Sequence, residues 1–148
     1  MSEKSSTPKQ TRGQLERSLS QQFQKLYREH LDHNTGKISC RLFDDKLTII
    51  VEDALTQPER LLLENGNSDR VEKLHNDLSR LVRPQLVELV ETVLGREVVD
   101  LMSDTTLETA RTGLVIVLSD RPCTASSDKS TADEEETSEA GLTPTGTA

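Results

Sequence analysis

Glu29, His30, Asp32 and His33 gather four metal-capable side chains within five residues. Two imidazoles three apart can share a helical face, and His75 could supply a third. No spacing fixes a closed ligand set, however. Cationic imidazole is also favoured near a helix C-terminus without any metal. The polar helix end is therefore the adopted reading, and no metal ligand is assigned. Cys40 falls on the apolar side of an alternating run, where a thiol behaves as a small hydrophobe rather than a nucleophile. Cys123 reads as an exposed spectator thiol. Asp44, Asp45, Glu52, Asp53, Asp100 and Asp104 are placed in turns and at strand edges, and none forms a recognisable acid–base pair. No glycine-rich phosphate loop is present, and Tyr27 with two phenylalanines makes no stacking platform for single-stranded nucleic acid. The residues thus assign no reaction, catalytic residue or cofactor.

Charge and apolar content narrow the class further. The 148 residues carry a formal charge of -8, of which -5 lies in residues 119–148 and -5 in residues 14–118, against +2 in residues 1–13. An acidic core beside an acidic tail argues against nucleic acid or anionic lipid as a partner. Two cysteines exclude a disulfide framework. No signal core and no run of roughly 18 apolar residues is found, so a cytoplasmic protein without a membrane span is expected.

Three segments follow from composition: a disordered arm, 1–13; a folded domain, 14–118; and a disordered, acidic, Ser/Thr-rich tail, 119–148. Leu15, Leu19, Phe23 and Leu26 give the first segment, 14–32, a helical period, ended by Asp32-His33-Asn34-Thr35-Gly36. Two alternating runs, 37–43 and 46–52, then flank Asp44-Asp45. A two-residue loop there pairs Leu42 with Leu47, Cys40 with Ile49 and Ile38 with Val51, all on one face. A slightly longer loop is the alternative, because Asp-Asp is not a preferred primed-turn dipeptide.

The most heavily punctuated segment is Leu55-Thr56-Gln57-Pro58-Glu59-Arg60-Leu61, followed by Glu64-Asn65-Gly66. Thr56 and Glu59 have capping-box spacing, Pro58 suits a first helical turn, and Gly66 can stop the helix in the left-handed conformation. A long amphipathic helix is expected over 69–94, closed by Gly95, with Pro84 either bending it or splitting it in two. Its apolar stripe suits the core, and self-association through it is an equal expectation. Residues 97–102 and the wholly apolar 113–118 complete the β content. The second reads as a central strand covered on both faces, and 103–112 as a polar connection. The order α-β-β-α-α-β-β predicts an α+β fold: a four-stranded antiparallel sheet with helices packed on one face.

The succession of these segments resembles the MpsC-like family, the small component associated with the bacterial Na⁺-translocating membrane-potential-generating system. The resemblance covers roughly 14–118. It rests on Leu26-Tyr27-Arg28-Glu29, on Leu55, Thr56, Pro58 and Glu59 of the capped helix, on Gly66, and on the Leu94-Gly95-Arg96-Glu97 junction and Met102-Ser103-Asp104. The chain departs from the family pattern where Gln57 separates Thr56 from Pro58, and where only Gly36 remains of a Gly-x-Gly-Pro element. The resemblance implies a non-enzymatic accessory or interaction protein without catalytic, cofactor or metal residues. Its implied partners are proteins, such as membrane subunits of an ion or inorganic-carbon transport system. A small ligand-sensing regulatory domain, holding a metabolite or anion near the Thr56 or Ser68 helix start, is the alternative.

Overall fold

Thr11 opens the first helix, α1 (Arg12–Leu31), two residues ahead of the expected start. Its hydroxyl accepts the Gln14 amide at 3.1 Å, and the Gln14 side chain accepts the Thr11 amide at 2.9 Å, a reciprocal cap the periodicity did not show. The computed structural model describes residues 9–125. Most of the expected arm and tail therefore lies outside the described residues. Leu15, Leu19, Phe23 and Leu26 are buried as their spacing predicts.

Strands β1 (Ile38–Phe43) and β2 (Lys46–Val51) pair antiparallel in the expected register, Leu42 with Leu47, Cys40 with Ile49 and Ile38 with Val51. Asp44 at the turn has a φ of 55°, a left-handed conformation that a short carboxamide-like or carboxylate side chain tolerates. At the open end of the hairpin the Gly36 amide donates to the Glu52 carbonyl at 2.8 Å. A Cβ at Gly36 would lie 3.1 Å from that of Glu52, a tight approach that glycine relieves.

Helix α2 (Gln57–Glu64) leads through Gly66, at φ 77°, into α3 (Ser68–Leu94). Helix α3 runs unbroken through Pro84 for 27 residues, roughly 40 Å at about 1.5 Å each, and Gly95 ends it at φ 69°. The splitting alternative does not occur. The continuing packing of Val82, Leu86, Val90 and Leu94 on either side of the proline outweighs the single lost backbone bond.

Two strand expectations are corrected. Strand β3 spans Val98–Thr106 and β4 spans Arg111–Leu118, so most of the presumed polar connection is strand. Thr105 pairs with Thr112 across the ladder, and their inner-face hydroxyls have partners described below. Polarity there reflects internal hydrogen bonding rather than a loop. The second correction concerns β4, which is central but covered on one face only. Sheet order is β1-β2-β4-β3, all antiparallel, with the helices on one side. Leu114, Ile116 and Leu118 face the helices, whereas Val115 is exposed on the other side.

Helix side chains engage some backbone groups of both edge strands. Glu16 of α1 accepts the Leu42 amide of edge strand β1 at 2.8 Å. On edge strand β3, Glu91 accepts the Val98 amide at 2.9 Å and Arg83 donates to the Leu101 carbonyl at 2.5 Å. Edge groups satisfied in this way are poor templates for adding another strand.

Candidate functional site

Glu59 is fully buried, with none of its surface exposed. An isolated carboxylate so placed would carry a large desolvation cost, and the surrounding groups answer it. Thr56 and Glu59 form the expected capping-box pair at the start of α2. The Thr56 amide donates to Glu59 Oε1 at 2.7 Å and the Thr56 hydroxyl donates to the same oxygen at 2.8 Å. The other oxygen, Oε2, lies 2.7 Å from His75 Nδ1 on α3. Burial pushes the Glu59 carboxyl upward. The bonds from His75 and Thr56 more than reverse that push and hold it below its usual value.

The relay continues into the sheet. His75 Nε2 lies 2.9 Å from Thr105 Oγ1, which lies 2.7 Å from Thr112 Oγ1. Because a carboxylate can only accept, Nδ1 carries a proton. With the ring neutral, Thr105 then donates to Nε2 and Thr112 donates to Thr105. With the ring charged, Nε2 donates to Thr105, and either threonine hydroxyl can then donate to the other. Helix α2, helix α3 and strands β3 and β4 are thereby joined by one line of hydrogen bonds. Hydroxyl, imidazole and carboxylate stand in the order of a nucleophile, its base and an orienting group. Yet the Thr105 oxygen is also bonded to Thr112, and no buried side-chain polar atom among the described residues lacks a partner. The relay spends its hydrogen-bonding capacity within the chain.

A small cavity of about 40 Å³ lies against this relay. Glu59, His75 and Thr112 line one part of it, Leu78, Val82, Leu86 and Leu101 the apolar part, and Tyr27 and Arg83 other positions. Burial raises the Tyr27 phenol to about 12, so it is a neutral hydroxyl at any ordinary pH. The volume suits a few water-sized groups.

The residues singled out in the sequence are placed as follows. Leu55 is buried beside the Thr56 cap, Pro58 sits in the first turn of α2, and Gly66 and Gly95 are left-handed helix stops. Arg96 donates from Nε to the Arg121 carbonyl at 3.0 Å and from Nη2 toward Cys123 Sγ at 3.8 Å. Residues 119–125, assigned to the tail from composition, lie along the domain. The Ser119 amide donates to the Glu97 carbonyl, Arg121 pairs with Asp44, and the Ala125 amide donates to the Gln10 carbonyl. The imidazoles do not assemble. His33 Nε2 lies 2.7 Å from the Asp53 carbonyl oxygen, whereas His75 serves Glu59. Cys40 is buried and its thiol pushed up to about 11 by that burial.

Sequence reasoning weighed His75 only as a third metal ligand and passed over Thr105 and Thr112. One signal existed: His75 occupies the apolar-stripe position four residues after Val71 and seven before Val82, where a polar side chain needs an internal partner. The helix start at Thr56, suggested as an anion site, is already filled by the chain's own Glu59 carboxylate.

The fold and site define a two-layer α+β domain with a self-satisfied buried relay and no helix, among the described residues, long and apolar enough to cross a membrane. Residues 11–120 match the MpsC family model, described as the Na⁺-translocating membrane potential-generating system, and the chain belongs to that family. No curated protein and no solved structure matches it.

Proposed function

We propose that this chain is a non-enzymatic accessory protein of a Na⁺-translocating membrane-potential-generating system, acting in the cytoplasm by contact with protein partners. Membrane subunits of an ion or inorganic-carbon transport machinery are the partners this reading names. The observation that carries the association is the family match over most of the chain. Support for a contact role comes from the relay, whose carboxylate, imidazole and hydroxyls are committed to one another and to tying helices onto the sheet. An ion path through lipid needs a backbone satisfied within the bilayer, so this reading gives translocation to the partner. Co-purification of the full chain with membrane subunits in mild detergent is the expected result. Recovery of free protein alone would contradict it.

The cavity beside His75 and Tyr27 favours one second reading, a sensor of a small molecule. Saturable thermal stabilisation by one member of a metabolite panel would support that reading. A flat response across the panel would remove it.

A further inference from the structure

The uncovered face of the sheet is unusual in its distribution of side chains. An antiparallel sheet with one solvated face normally turns polar residues outward. Here Val115 and Val117 of β4, Ile50 of β2, Met102 of β3 and Phe43 of β1 point away from the helices. Met102 is 49% exposed and Phe43 48%. The registers align these residues in three cross-sheet rows: Phe43, Lys46, Val117, Asp100; then Arg41, Thr48, Val115, Met102; then Ser39, Ile50, Gly113, Asp104. The two central strands carry Lys46, Thr48 and Ile50 on β2 and Gly113, Val115 and Val117 on β4, so apolar side chains are interspersed with polar ones. The two sides carry opposite charge, apart from Arg111 of β4, which pairs with Glu52. Arg41 and Lys46 lie on the β1–β2 side, and Asp100 and Asp104 on β3. Arg41 and Lys46 also pair within the chain, with Glu16 and Asp45, whereas neither aspartate forms an ion pair among the described residues.

We infer that this face is the dimerisation surface of the chain, and that its occupant is a second copy packed sheet to sheet. A twofold axis in the interface parallel to the strands lays β1–β2 of one copy over β4–β3 of the other. Thr48 then faces Val115 twice. Arg41 falls over Met102, between Asp100 and Asp104, and Lys46 reaches Asp100. An axis across the strands would instead set like charges opposite each other, and the charge pattern excludes it. Sheets packed this way sit about 10 Å apart with strands within roughly 30°. Four strands at about 4.8 Å and six residues at about 3.3 Å give a face of roughly 19 by 20 Å. Allowing for side-chain relief, about 1,200 Å² in total would be buried, the lower bound for a specific dimer.

Sedimentation velocity of the full chain from low micromolar to several hundred micromolar tests this inference. A concentration-dependent monomer–dimer equilibrium is expected. Met102→Lys with Val115→Lys should remove the dimer while leaving the circular dichroism spectrum unchanged, because both side chains point outward. Lys46→Glu alone and Asp100→Lys alone should each weaken association by about tenfold. The two together should restore it to within about threefold. A monomer at every concentration, a dimer indifferent to the face substitutions, or a charge exchange that restores nothing would each overturn the inference.

Discussion

The two faces of the sheet use the same kinds of side chain to different ends. On the inner face, Leu47, Ile49, Val51, Leu114, Ile116 and Leu118 meet Leu19, Phe23, Val82, Leu86 and Val90 of the helices and are almost wholly buried. Thr105 and Thr112, the polar inner positions, are tied through His75 to Glu59. On the outer face, Phe43, Ile50, Met102 and Val115 stand exposed among charged side chains. Folding accounts for the first set and leaves the second without a role in the monomer. The difference teaches that apolar character in β4 encodes both a core and a contact surface.

The largest effect should come from the inner face. Phe23→Ala removes a side chain at 1% exposure from the centre of α1, and urea unfolding should show a loss of about 3–5 kcal/mol. Next is the relay. Glu59→Ala strips the acceptor from His75 Nδ1 and the Thr56 amide in a buried site, for a loss of about 2–4 kcal/mol by the same assay. Glu59→Gln, which keeps one acceptor oxygen, should lose less.

The relay also gives a pH signature. The folded Glu59 carboxyl lies below its ordinary value of 4.5, so its ionised form stabilises the fold. That contribution is fully present above the unfolded value and is lost as pH falls through the folded one. The stability difference between wild type and Glu59→Gln should therefore narrow on acidification below about pH 4.5. A constant difference would mean Glu59 does not titrate with unfolding. A smaller effect belongs to the helix stops. Gly95→Ala places a Cβ in open space but at φ 69°, and should cost about 1 kcal/mol of unfolding free energy.

Legibility in the sequence followed the range of the interactions. The β1–β2 hairpin was readable to the residue because two adjacent runs alternate with the same period, and a slip by one reverses every side chain. The capped helix was equally plain, since Thr56, Pro58 and Glu59 act within four positions. The β3–β4 pair was under-read because Ser103 to Thr106 are polar strand residues whose partners sit elsewhere. The relay was illegible for the same reason: His75 lies 16 positions from Glu59 and 30 from Thr105. Nor could the single apolar run 113–118 reveal that only one of its faces is covered. Periodicity cannot distinguish a core valine from one reserved for contact.

Neighbouring residues of β4 offer the most direct test of the two-face account. Val115→Ala and Ile116→Ala remove comparable apolar groups from opposite sides of one strand. In urea unfolding at a concentration where the chain is monomeric, Ile116→Ala should lose about 3 kcal/mol and Val115→Ala less than about 1 kcal/mol. Equal losses at the two positions would contradict the account, because Val115 would then belong to the core rather than to a surface kept for a partner.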